Sequence, residues 1–111
     1  MKDSFSKIVE IGCGEGNTLN YLSKGLNSEA YGVEPSNEAV DVIKRKYKDI
    51  ITKSEFSDSL SFKNEEFDLV HLGFFMYLVD RELYLKTISE IDRILKYGGF
   101  LSIIDFDTPY P

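Results

Sequence analysis

Three glycines at alternate positions, Gly12, Gly14 and Gly16, stand directly behind the apolar, acid-bearing run Val9-Glu10-Ile11 and directly ahead of Asn17-Thr18. A strand, a tight turn and a helix start are thereby compressed into one short span. Glycine has no side chain to hold the backbone off a bound molecule and takes positive φ without steric cost, so such a loop brings main-chain groups close to a ligand. The expected ligand is of nucleotide type. A turn that is merely structural remains open on the glycines alone.

The remaining chain alternates in period. Lys7–Ile11 reads as a first strand whose apolar residues are too closely spaced to leave one face polar, as in a parallel strand covered on both sides. Asn17–Lys24 carries Leu19, Tyr21 and Leu22 at helical spacing, with Gly25 expected to end the helix in the left-handed conformation. Ala30–Val33 follows as a second strand stopped by Pro35. Ser36 is expected to cap a helix to about Tyr47, with Ala39, Val40 and Ile43 buried and Lys44, Arg45, Lys46 and Lys48 outward. Ile50–Thr52 and Phe67–Leu72 read as strands on either side of a polar connection. Asp80 is expected to cap a long helix with Leu83, Leu85, Ile88, Ile91, Ile94 and Leu95 on its periodic stripe, closed by Gly98-Gly99, before a fifth strand Phe100–Phe106. The order β-α-β-α-β-β-α-β predicts an α/β, Rossmann-like, doubly wound and mostly parallel five-stranded sheet with helices on both faces.

At 111 residues the chain is sized for a single domain, 1–111. Its 42% hydrophobic and 29% charged content is that of a soluble globular protein. The one cysteine, Cys13, has no partner for an internal disulfide and reads as a small filler within the glycine loop, not as a nucleophile. The net charge of −6, with the cations scattered or gathered on one helix, argues against a nucleic-acid partner. The start Met1-Lys2-Asp3-Ser4 has no apolar signal region, and no apolar run approaches the roughly 20 residues of a membrane helix. A cytoplasmic location away from membranes is expected.

Four landmarks combine. The glycine run follows GxGxG, with Asn17 where a dinucleotide-binding fingerprint carries its third glycine. Glu34 lies 18 positions after Gly16 at the end of the second strand, where a carboxylate can accept two hydrogen bonds from ribose hydroxyls. Phe67-Asp68-Leu69-Val70 and Arg93-Ile94-Leu95-Lys96-Tyr97-Gly98-Gly99-Phe100-Leu101 complete the set. Over Lys7 to Asp105 the chain resembles the small-molecule class I S-adenosylmethionine-dependent methyltransferases, the broad group that modifies quinones and sugars.

The resemblance implies S-adenosylmethionine as cofactor, S-adenosylhomocysteine as product and a small molecule as methyl acceptor. It implies that Glu10 orders the loop and the amino group of the cofactor's methionine part. Gly12, Gly14 and Gly16, with Cys13 between them, would form the floor. Glu34 would hold the ribose, Val33 and Pro35 would flank the adenine, and Phe56 and Ser57 would lie on its other side. Leu72, Gly73 and Phe74 would run beside the sulfonium. Two departures stand out: Tyr97 replaces a proline common in the family, and Phe56 occupies a position where the family carries an acid or small polar residue near the adenine, with Asp58 a substitute. The family's sixth and seventh strands have no counterpart, so a shortened form, a fragment, or a homo-oligomer covering the apolar edge of the fifth strand is expected.

The resemblance implies an in-line displacement needing placement more than a covalent step, with Phe74, Phe75 and Tyr77 expected from their sequence position to help exclude water from it. No catalytic residue is assigned. His71, the sole histidine, is a candidate general base against the alternative of a buried, hydrogen-bonded residue. Tyr77 is a candidate against a packed rim aromatic, and Asp105 and Asp107 are candidates for substrate contacts against solvated carboxylates. No metal site is expected. Two competing readings are a noncatalytic cofactor-binding module that works with a partner chain and a nicotinamide-dependent oxidoreductase.

Overall fold

The computed structural model describes residues 5–73 and 81–103, the side chain of Arg81 excepted. Five strands, β1 (Lys7–Ile11), β2 (Glu29–Val33), β3 (Ile50–Lys53), β4 (Phe67–Leu72) and β5 (Leu95–Ile103), alternate with α1 (Asn17–Leu26), α2 (Asn37–Lys46) and α3 (Tyr84–Ile94). Every pairing is parallel and the order is β3-β2-β1-β4-β5. The expected Rossmann-like sheet is what the chain forms. Order reverses between β1 and β4, so the loops leaving β1, β2 and β4 share the carboxyl edge where such sheets open a crevice.

Alternation along the strands divides the core in two. Val9, Ile11, Val33, Phe67, Val70 and Leu72 pack under Ile91 and Ile94 of α3. Ile8, Ala30, Ile50 and Leu69 pack on the other face under Leu19 of α1 and Ile43 of α2. Phe62 and Phe67 meet edge to face at 4.8 Å and seal the first cluster.

Several local expectations need correction. Gly25 does not end α1; the helix continues to Leu26, and Asn27 takes the left-handed conformation at φ 55° while the amide of Ser28 closes on the Ser23 carbonyl at 2.9 Å. Asparagine tolerates that conformation because its short polar side chain offsets part of the steric cost. Gly98-Gly99 does not separate α3 from β5. The strand already begins at Leu95, which pairs with Phe67, and the glycines absorb a register shift before Phe100 pairs with Leu69. Gly98 sits at φ 83°, and a Cβ on Gly99 would stand 3.0 Å from the Asp68 carbonyl, so glycine is required by a bulge, not by a helix cap. On α3 the buried residues are Thr87, Ile91 and Ile94, while Leu85 and Ile88 are exposed, because a 3.6-residue turn places Ile88 on the flank of that stripe and Leu85 nearly opposite it. A 3-10 turn, Arg81–Leu83, precedes α3; Asp80 and Phe106 lie outside the described residues. Ser36 caps α2 as expected, its Oγ accepting the Ala39 amide at 3.2 Å. Phe100, Leu101 and Ile103 are exposed on β5, whose outer side has no strand beside it among the described residues.

Candidate functional site

The glycine loop leaves β1 as a series of backbone turns that only glycine takes without strain: Gly12, Gly14 and Gly16 sit at φ 76°, 55° and 85°. Its amides are turned inward. Those of Gly12 and Cys13 donate to the Val33 carbonyl at 2.8 and 3.1 Å, and that of Gly16 to the Cys13 carbonyl at 2.9 Å. The Gly14 amide donates to Oε1 of Glu34 at 2.9 Å. A loop read from sequence as gripping through its amides has therefore spent those of 12, 13, 14 and 16 on its own fold.

Glu34 ends β2, and its second oxygen accepts the Ser36 amide at 3.2 Å. A carboxylate offers about four lone-pair positions. Two are taken by the backbone and two remain, on a half-buried side chain at the carboxyl edge of the sheet.

Glu10 approaches from the floor. It is 3% exposed, and its Oε1 has no hydrogen-bond partner. Burial, reinforced by the charge of Glu34, pushes its carboxyl up to about 7. Beyond β4, a Cβ on Gly73 would come within 2.9 Å of Glu10 Oε2, so glycine there lets the chain pass close over the carboxylate. Cys13 is buried with its thiol pushed up to about 12 by burial and by the two glutamates, which keeps it protonated and unreactive. It fills the space over Gly32, where a Cβ would meet its Sγ at 2.7 Å.

The other expected site residues divide. Val33 and Leu72 are buried in the core beneath α3, so at the carboxyl edge of the sheet they offer main chain only. Pro35 is exposed, and Ser54 Oγ ties the segment after β3 to the Pro35 carbonyl at 3.2 Å, bringing the start of that segment to the end of β2. On it Phe56 is 67% exposed, Asp58 is half-buried, and the Ser57 hydroxyl is engaged with Thr87 Oγ1 at 3.0 Å. His71 is buried, with Nδ1 3.0 Å from Ser102 Oγ and Nε2 3.6 Å from Glu10 Oε2, so both ring nitrogens face protein groups. Phe74, Phe75, Tyr77, Asp105 and Asp107 lie outside the described residues.

Sequence reasoning missed Arg93 as a structural tie. Its guanidinium donates to the carbonyls of Phe62 and Leu60 at 2.8 and 3.0 Å, to Asn64 Oδ1 at 2.9 Å and to both oxygens of Glu90, while Glu90 accepts the Leu60 amide at 2.8 Å. The planar fork holds the polar connection before β4 against α3. A Glu-x-x-Arg pair on one helical face was the available signal.

Residues 8–99 match the family model described as a methyltransferase domain. The chain belongs to that family. S-adenosylmethionine is the cofactor of these domains. The chain is 35% identical over 111 residues to a demethylmenaquinone methyltransferase of Staphylococcus saprophyticus, covering 96% of this chain and 47% of that protein. It is 29% identical over 111 residues to a tRNA N(3)-cytidine methyltransferase of Danio rerio, covering 90% of this chain and 31% of that protein. A TehB-like SAM-dependent methyltransferase from Corynebacterium glutamicum superposes with a TM-score of 0.82 at 23% identity, over 93% of this chain and 56% of that one, which is a likeness of fold. The chain thus spans about half or less of the length of these relatives. Among the described residues no helix is long and apolar enough to cross a membrane.

Proposed function

We propose that the crevice at the carboxyl ends of β1, β2 and β4 binds S-adenosylmethionine, and that the protein transfers its methyl group to a small-molecule acceptor. The observation that carries this is the pairing of an occupied glycine loop with two convergent carboxylates. A pyrophosphate needs free amides and positive potential at a helix start. This loop has the amides of 12, 13, 14 and 16 engaged and presents Glu10 and Glu34, an arrangement suited to a cation and to hydroxyl donors.

The residues fit the cofactor in kind. Glu10 Oε1, buried and unpartnered, matches an ammonium group, and the two remaining acceptor positions of Glu34 match a pair of ribose hydroxyls. A Cβ at Gly14 would meet nothing within 4 Å, so the loop leaves open space above it. When bound, the cofactor supplies a methyl group on a positively charged sulfur. This chain's contribution is to hold and orient it by the loop, Glu10 and Glu34, since placement alone removes several kcal/mol of barrier.

A small acceptor is favoured by the acidic balance of the chain, net −6, which repels a phosphate backbone. The demethylmenaquinone methyltransferase relative supports a small-molecule acceptor. Calorimetric titration tests the cofactor: S-adenosylhomocysteine is expected to bind one to one and a reduced nicotinamide dinucleotide not at all. Binding of the dinucleotide alone would overturn the reading in favour of hydride chemistry.

A further inference from the structure

One row of residues crosses the whole sheet. Thr52, Gly32, Glu10, His71 and Ser102 are successive register partners on β3, β2, β1, β4 and β5. Each lies two residues beyond Ile50, Ala30, Ile8, Leu69 and Phe100, so the row faces the α1 and α2 side directly above an apolar one. Among the described residues, the buried side-chain atoms without a hydrogen-bond partner are Glu10 Oε1, Thr52 Oγ1 and His71 Nε2, and all fall on this row. Buried polar groups are normally satisfied, so a cluster of exceptions calls for a reason.

We infer that His71 is a positioning residue for cofactor binding, whose Nε2–H, 3.6 Å from Oε2 of Glu10 and so beyond a direct hydrogen bond, acts on that oxygen through its dipole and leaves Oε1 as the acceptor for the ligand's ammonium group. The inference rests on the cofactor reading above. Ser102 Oγ lies 3.0 Å from Nδ1; with the serine hydroxyl as donor, the arrangement this inference requires, the ring's own proton sits on Nε2, 3.6 Å from Glu10 Oε2. Burial holds the His71 pKa below its ordinary value, so the ring is neutral at pH 7. A neutral donor stabilises an ionised Glu10 without cancelling the charge that attracts a cationic ligand, whereas a lysine or arginine at 71 would satisfy Glu10 and close the site. Among the described residues, the titratable groups near Glu10 are His71 from β4, the Cys13 thiol from the loop and, at the end of β2, Glu34, the charged group that acts on it.

The test is S-adenosylhomocysteine affinity from pH 5.5 to 8.5 for the wild type, His71→Leu and His71→Gln. Wild-type affinity is expected to fall about tenfold per pH unit below the Glu10 titration, as a single linked proton requires. His71→Leu removes the donor and is expected to move that midpoint up by about one pH unit. His71→Gln, which restores an N–H, is expected to bring it back. A midpoint unmoved in His71→Leu overturns the assignment of His71 alone, whereas a wild type that binds nothing at any pH overturns the cofactor reading and this inference with it. Long-range proton–nitrogen spectra of the one histidine in the wild type give a second readout that needs no variant: a neutral ring protonated on Nε2 is expected, and an Nδ1-protonated ring would overturn the inference.

Discussion

The amide of Gly14 donates to Oε1 of Glu34 at 2.9 Å, twenty residues further along the chain, so the carboxylate at the tip of β2 fastens the loop that leaves β1. One side chain then carries both the shape of the loop and the acceptors offered to a ribose. Glu34→Ala removes both, and S-adenosylhomocysteine affinity is expected to weaken by about 1–3 kcal/mol. Glu34→Gln keeps an acceptor for the Gly14 amide and is expected to fall between. Calorimetry on the two variants checks the order, and equal affinity for the wild type and Glu34→Ala would contradict it.

Glu10 makes the free protein less stable at high pH. Its carboxyl titrates at about 7 in the fold against an ordinary 4.5, so between those values the folded state holds a proton that the unfolded chain has released. Stability from this group is therefore fully present below about pH 4.5 and is lost as pH rises through 7. Glu10→Gln removes the loss, and at pH 8 the variant is expected to exceed the wild type by up to about 3 kcal/mol, with little difference at pH 4.5. Urea unfolding at the two pH values measures it. The same substitution is expected to cost cofactor affinity, which marks the buried acid as retained for binding and not for stability.

Glycines 14 and 32 are required for different reasons, and alanine separates them. At Gly32 a Cβ would lie 2.7 Å from Cys13 Sγ and 3.2 Å from Leu19 Cδ2, inside a packed core. Gly32→Ala is expected to cost about 1–3 kcal/mol of stability through overpacking. At Gly14 there is room, and the penalty is the left-handed backbone alone, about 1 kcal/mol. Thermal unfolding of both variants checks the ranking. The Gly14 variant is expected to lose more cofactor affinity than stability, because its new methyl group points into the space above the loop.

The parts of this fold legible in the sequence are those set by local periodicity and backbone chemistry. The strands β1 and β4 read to the residue because their apolar runs end at sharp changes of composition, and Ser36 announced its cap. Glu34 was legible because an acid at the end of β2 has a position defined by the strand itself. What could not be read depends on residues distant in the chain. The inward turn of the loop amides needs the Val33 carbonyl and Glu34. The row from Thr52 to Ser102 exists only once five strands are in register. The Gly98-Gly99 bulge needs Asp68 beside it, and without that neighbour a glycine pair after a helix reads as a helix end.

The most direct measurement of where the cofactor binds is the set of backbone amide resonances of the glycine loop during a titration with S-adenosylhomocysteine. Gly12, Gly14, Gly16 and Ser36 are expected to shift together and saturate at one equivalent. Shifts that leave these four untouched and gather instead at the opposite edge of the sheet, in the groove lined by Asn64, Asp92, Lys96 and Gly98, would contradict the account.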